Sequence, residues 1–243
     1  MRRRFFVEQF NGTTAVIDGD TAHHLGHVLR AQSGQLYELS DGSTAWLARI
    51  ESVARNRVEF ALLEQLPAAQ PVADITLLLS IVKFDAFEWA IEKATELGVT
   101  TIIPLAATRS EKGLLAAAAK RSQRWQKILL ESSQQSRRLR LPQLDDLTKP
   151  AEAFAAQSCE FRLMLSERSD APSVRNILGH SNHAKVPGSA MLAIGPEGGW
   201  TDDELAAARA NGFAEASLGQ LILRTETAVI AALAVVKYAL SAD

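Results

Sequence analysis

Apolar and polar positions follow two different rhythms along this chain. Up to about residue 70, short runs alternate at a period of two and are separated by turn residues. From residue 74 onward, continuous apolar runs alternate with stretches of helical periodicity. The first rhythm predicts half-buried strands, and the second predicts strand-helix units of a mostly parallel sheet. Residues 5–7, 14–17, 35–39, 45–50 and 57–62 read as strands, interrupted by one short helix at about 20–30. Asp41-Gly42 between the third and fourth strands is a hairpin signal. Several short strands with turn signals suggest a small β-barrel. The stretch 66–71, with Pro67 and Pro71, marks a boundary. The expectation is a barrel domain at 1–70 and an α/β domain at 74–243.

In the second part, 75–82 is an apolar run of buried-strand length. Phe87, Ala90, Ile91, Ala94 and Leu97 then recur at helical spacing, and Gly98 is a helix stop. Residues 99–105, 161–165, 191–194 and 214–218 are the next strands. A basic helix is expected at 119–136, with Trp125, Ile128 and Leu129 on one side. Thr201 with Glu204 forms a capping box for a helix at 202–211, and Thr225 can cap a last helix at 226–240.

Composition adds limits. The chain has 243 residues, 47% hydrophobic and 22% charged, enough for one large or two smaller globular domains. No apolar run approaches the roughly 18 residues of a membrane span. The N-terminus has no signal-peptide pattern. Cys159 is the single cysteine, so no intramolecular disulfide can form and a cytoplasmic location is expected. The net charge of −2 hides an asymmetry: residues 109–140 carry nine basic side chains against two acidic ones, which leaves −9 on the rest. Such clustering suits either a polyanion-binding surface or a solvated helix face.

Two segments carry the chemistry. One is Ile194-Gly195-Pro196-Glu197-Gly198-Gly199-Trp200; the other is Leu218-Gly219-Gln220-Leu221-Ile222-Leu223-Arg224-Thr225-Glu226-Thr227-Ala228. Each follows a predicted strand and leads into a helix. Loops at the carboxyl ends of neighbouring parallel strands are where open α/β sheets bind ligands. The glycines let backbone press against a flat ligand, and the pattern is neither a dinucleotide fingerprint nor a P-loop. An ordinary strand-to-helix turn is the plainer reading, as is a salt bridge between Arg224 and Glu226 at a helix start. His23 and His27 have metal-pair spacing but no further ligands, so no metal is expected. Trp46 and Trp89 read as packing residues, and Ser132 and Ser133 lack triad partners.

These two segments closely resemble the C-terminal signatures of the ribosomal RNA small subunit methyltransferase E family, of the SPOUT class. The resemblance extends through Arg4-Phe5-Phe6, His24-Leu25, Val28-Leu29-Arg30, Glu92 to Val99, Ile103-Pro104-Leu105, Arg109-Ser110, Trp125, Gln135, Arg138 and Pro142. Gln220 stands where the family often has proline, and Trp200 where phenylalanine is usual. Arg137 stands where glycine is common, and Gln134 where glutamate is.

The resemblance implies a PUA-like RNA-binding barrel joined to an α/β domain with a deep trefoil knot. It implies a homodimer, S-adenosylmethionine as cofactor, and methylation of N3 of a uridine in small-subunit ribosomal RNA. The cofactor-binding residues are then Leu165, Ser166, Glu167, Ile194, Gly195, Pro196, Gly198, Gly199, Leu218, Gly219, Ile222, Leu223, Thr227 and Ala228. Uridine N3 must lose a proton, so the site needs a base or cations beside O2 and O4. Glu226 and Glu197 are candidate bases; Arg138 and Arg224 are candidate cations. Arg4, Arg30, Arg109, Lys112, Arg121, Arg124 and Arg137 are candidate RNA contacts. A SPOUT enzyme with another RNA target, or a non-catalytic RNA-binding assembly factor, are the alternatives.

Overall fold

The structure, a computed structural model, describes residues 3–67, 73–156, 159–180 and 188–240. Residues 68–71 of the expected boundary lie outside the described residues. The chain forms two compact units, Met1–Gln70 with Leu130–Leu141, and Pro71–Leu129 with Pro142–Asp243.

The first unit contains β1 (Arg4–Phe6), β2 (Thr14–Asp18), α1 (Gly19–His23), β3 (Leu36–Ser40), β4 (Ala45–Ala54) and β5 (Arg57–Leu66). The sheet order is β1-β3-β4-β5-β2, antiparallel throughout except for the β1–β3 pair. Phe5, Ile17, Leu25, Leu39, Ile50, Val58 and Phe60 form its core. Register shifts at Leu47/Ala48 and Ile50/Ser52 disrupt the ladder, and such bulges bend a sheet. β4 and β5 run further than their alternation predicts because their distal ends are largely solvent-exposed and need no apolar face. The Asp41-Gly42 hairpin forms as expected: Asp41 Oδ1 accepts from the amides of Ser43 and Thr44 at 2.9 and 2.7 Å, and Gly42 takes φ +87. The expected helix at 20–30 is α1 followed by a π-helical turn at His24–Val28, ended by Arg30 at φ +51. Segment 130–141 groups with this unit through side chains. Ser40 Oγ donates to the Leu139 carbonyl at 2.6 Å, and Arg137 reaches Glu38 at 3.4 Å.

The second unit contains β6 (Asp74–Ser80), α2 (Phe84–Glu96), β7 (Thr101–Leu105), α3 (Lys112–Ala118), the start of α4 (Ser122–Gln135), whose residues from Leu130 group with the first unit, and β8 (Gln143–Leu144). It continues with α5 (Pro150–Ala155), β9 (Phe161–Leu165), α6 (Val174–His180), β10 (Ser189–Ile194), α7 (Asp202–Ala210), β11 (Ala214–Ala216) and α8 (Thr225–Leu240). Its strands are all parallel, in the order β11-β9-β10-β6-β7-β8. Both faces are covered, which explains the continuous apolar runs. Leu77, Leu79, Leu163, Leu165, Leu192 and Ile194 enter one core with residues of α2, α4 and α8. The alternate residues Leu78, Met164, Met191 and Ala193 enter another with residues of α5 and α7.

Two expectations change. The strands preceding the two special loops are not neighbours, because β9 pairs with both β10 and β11 and lies between them. The basic helix expected at 119–136 forms as a 3-10 turn at Ala119–Arg121 leading into α4, and an unexpected helix, α3, precedes it. The alanine run 116–119 has no apolar periodicity to reveal α3.

Candidate functional site

The carboxyl edge of the parallel sheet presents loops in strand order: 217–224 after β11, 166–173 after β9, 195–201 after β10, then the turn from β6 into α2. With Arg109, which follows β7, they enclose a cleft of about 1120 Å³ lying wholly within the second unit.

The glycine loop is held by side chains from both directions. Its own turn closes with the Gly199 amide donating to the Pro196 carbonyl at 2.8 Å, and Gly199 takes φ +67, which favours glycine. Gly195 is required by a close approach, since a Cβ there would lie 3.0 Å from the Trp200 ring. Trp200 packs edge-on against Phe154, and its indole N–H donates to the Leu165 carbonyl at 2.9 Å, tying this loop to the end of β9. From the other side, Arg109 Nη1 donates to the carbonyls of Gly198 (2.8 Å) and Trp200 (3.0 Å). The capping box forms as predicted at α7. Its Glu204 also accepts from the Thr108 amide at 2.8 Å, fixing the segment that carries Arg109.

The second loop is fastened to the β9 loop. The Ser217 amide donates to the Pro172 carbonyl, the Val174 amide to the Ser217 carbonyl, and the Ser166 amide to the Ala216 carbonyl. Gly219 takes φ +130. α8 begins at Thr225, one residue earlier than expected, and the Arg224 carbonyl accepts from the Ala228 amide. Arg224 and Glu226 do not pair with each other; neither makes an ion pair among the described residues.

The predicted cofactor residues Leu165, Ser166, Glu167, Ile194, Gly195, Pro196, Gly198, Gly199, Leu218, Gly219, Ile222, Leu223 and Ala228 all line the cleft; Thr227 does not. Of the candidate catalytic residues, Glu197, Arg224 and Glu226 line it and Arg138 does not. Arg138 belongs to the first unit, where its Nε donates to the Arg140 carbonyl at 3.2 Å. Burial pushes its guanidinium down to about 10, so it stays charged at neutral pH.

The candidate RNA contacts are dispersed. Arg30 and Lys112 are exposed. Arg4 is buried in a two-bond pair with Glu38, which Arg137 also approaches. Arg121 and Arg124 both pair with the buried Glu88. His23 and His27 stack at 4.5 Å on the surface, and among the described residues no group of three or more His, Cys, Asp and Glu side chains could hold a metal.

Sequence reasoning missed Lys83, Asp85, Ala86 and Trp89, from the turn into α2 and its first turns, as well as Arg168, Leu205 and Ser217. The spacing of the first four is ordinary helix spacing, so nothing local distinguishes them. It also missed the hold of Arg109 on the glycine loop, which spans 89 and 91 residues of sequence.

A parallel sheet with a glycine-loop cleft at its carboxyl edge defines a ligand-binding α/β protein, here preceded in the chain by a small β-sheet unit. Residues 68–237 match the RNA methyltransferase domain and residues 17–63 match the RNA methyltransferase PUA domain. The chain is 35% identical to ribosomal RNA small subunit methyltransferase E of Synechocystis sp. over 93% of this chain and 74% of that one. It is 32% identical to the Mycobacterium tuberculosis protein of the same name, over 96% and 90%. A crystal structure of ribosomal RNA small subunit methyltransferase E from Neisseria gonorrhoeae bound to S-adenosyl methionine superposes with a TM-score of 0.86 at 31% identity, covering 98% of each chain. The chain belongs to the ribosomal RNA small subunit methyltransferase E family.

Proposed function

We propose that this protein transfers a methyl group from S-adenosylmethionine to N3 of a uridine in small-subunit ribosomal RNA. The observation that carries the reading is the cleft itself: three consecutive strand-end loops, the two glycine-bearing ones each hydrogen-bonded to β9 or its loop, around a volume suited to a nucleoside-sized ligand. The residues fit this cofactor. Leu165, Ile194, Leu218, Ile222 and Leu223 offer apolar surface to adenine, and Gly198 and Gly199 leave backbone accessible. Glu167, Glu197 and Glu226 put carboxylates around a cationic sulfonium. When bound, the cofactor supplies an electrophilic methyl group. Glu226 or Glu197 takes the N3 proton, and Arg224 stabilises the charge left on the uracil oxygens. Arg138 is a further candidate cation for that role.

In this reading the first unit is the RNA-binding PUA-like domain, with Arg4, Arg30 and Arg137 as RNA contacts, and Arg109, Lys112, Arg121 and Arg124 of the second unit add to the RNA surface. The second unit is the catalytic domain, its chain knotted around the cofactor loops. The protein acts in the cytoplasm as a homodimer. Leu221 and Tyr238, with exposures of 83 and 85%, supply apolar surface for a second copy. The test is radiolabelled methyl transfer to small ribosomal subunits lacking their native methylations, with the product nucleoside identified by mass spectrometry. 3-Methyluridine at one position is expected. A different methylated nucleoside moves the target, and no transfer by folded protein favours the assembly factor.

A further inference from the structure

The cleft extends past its cofactor loops, and its remaining wall has a different character. The extra wall is the turn from β6 into α2, next to the glycine loop in the order of strands and on the side away from β11. Lys83, Ala86 and Trp89 recur there at intervals of three and form one stripe along the start of α2. On either side, Phe87, Ala90 and Ile91 are buried in the core. Trp46, Trp125 and Trp200 each pack against another aromatic ring. Trp89 meets no aromatic ring among the described residues, and it stays 44% exposed while lining the cleft. The Lys83 ammonium makes no ion pair among the described residues.

We infer that this stripe is the acceptor-nucleobase subsite, with the Trp89 indole as the surface on which the methylated base stacks and Lys83 as the cation beside that base. The inference rests on the methyl-transfer reading above. An acceptor must enter the same cleft as the methyl donor, and a base reaches it only after leaving its own stack. An exposed indole face replaces the lost stacking. The uracil carbonyl oxygens gain negative charge as N3 gives its proton to the base, and Lys83 stands where a cation lowers that charge's cost. No covalent step beyond methyl transfer is involved.

The test combines binding and turnover. The indole N–H resonances of 15N-tryptophan-labelled protein, with Trp89 assigned from W89F, are followed while a short uridine-containing oligonucleotide is added to protein saturated with S-adenosylhomocysteine. The Trp89 resonance is expected to shift, with those of Trp46 and Trp125 unmoved. In methyl-transfer assays W89A should raise the KM for the RNA substrate roughly 10- to 100-fold. Its affinity for S-adenosylhomocysteine should stay within twofold of wild type, and W89F should recover most of the loss. K83Q should lower kcat and move the pH-rate rise to higher pH. A Trp89 resonance that ignores the oligonucleotide overturns the inference, as does W89A turnover equal to wild type. So does loss of cofactor affinity in parallel with activity, or a changed oligomeric state in W89A, which would make Trp89 a contact between copies. Wild-type protein that fails to bind S-adenosylhomocysteine would instead sink the methyl-transfer reading, while the oligonucleotide titration still reports on the indole.

Discussion

At the residue scale, two side chains set the shape of the glycine loop: Trp200, from the loop itself, and Arg109, distant in sequence. Arg109 holds two loop carbonyls with one guanidinium nitrogen. Arg109→Ala should weaken S-adenosylhomocysteine binding about tenfold, from losing two charge-assisted hydrogen bonds at a partly solvated site. The salt slope of RNA binding should change by less than one phosphate contact. Calorimetry and fluorescence anisotropy separate the two, and a large change in slope with unchanged cofactor affinity would return Arg109 to the RNA surface. Gly198→Val should also weaken cofactor binding, because a Cβ there lies 3.2 Å from the Arg109 Cβ and displaces its stem. Trp200→Phe installs the residue the family usually carries but deletes the donor to the Leu165 carbonyl. A loss of about 1–2 kcal/mol is expected, with Tm falling by roughly 2–6 °C in thermal scanning. An unchanged Tm would show that water or another donor replaces the indole N–H.

At the element scale, buried acids join helices that the chain keeps apart. Glu88 of α2 is buried and takes Arg124 Nε at 2.7 Å and Arg121 Nη1 at 3.4 Å, and Arg121 also lies 4.6 Å over the Phe84 ring. Glu88→Gln should destabilise the protein by about 1–2 kcal/mol in urea unfolding, discounted because both arginines are substantially exposed. Thr201→Ala removes the α7 capping box and should cost about 1 kcal/mol in the same measurement. Most elements were legible locally. Thr201 with Glu204, Asp41-Gly42 and the period of α2 each carry their own signal. What failed was adjacency: the two glycine-bearing loops looked like neighbours because their strands follow one another in the chain, yet β9 separates them. Strand order depends on which crossover buries which face, and no local pattern encodes that.

At the scale of the whole molecule, the +7 segment at 109–140 is less of a free cationic surface than its composition suggests. Acids distant in sequence neutralise part of it: Glu88 takes Arg121 and Arg124, Glu38 takes Arg137, and loop carbonyls occupy Arg109. Nine phosphate contacts on a single strand would give a salt slope of roughly −6, and we expect half that magnitude or less. Anisotropy titrations from low to moderate salt measure it, and a slope near the full value would mean that RNA displaces these internal partners. The sequence by itself determined the two rhythms, and so a β-rich unit followed by a parallel α/β unit. It also determined the two glycine-bearing segments, because glycine freedom, capping and hydrophobic period act within a few residues. Only the tertiary structure decided that β9 stands between those loops, that Arg109 and Trp200 brace one of them, and that Trp89 lines the cleft. Each of these depends on groups far apart in the chain meeting at one sheet edge, where packing of the whole core, and no local preference, sets the distance.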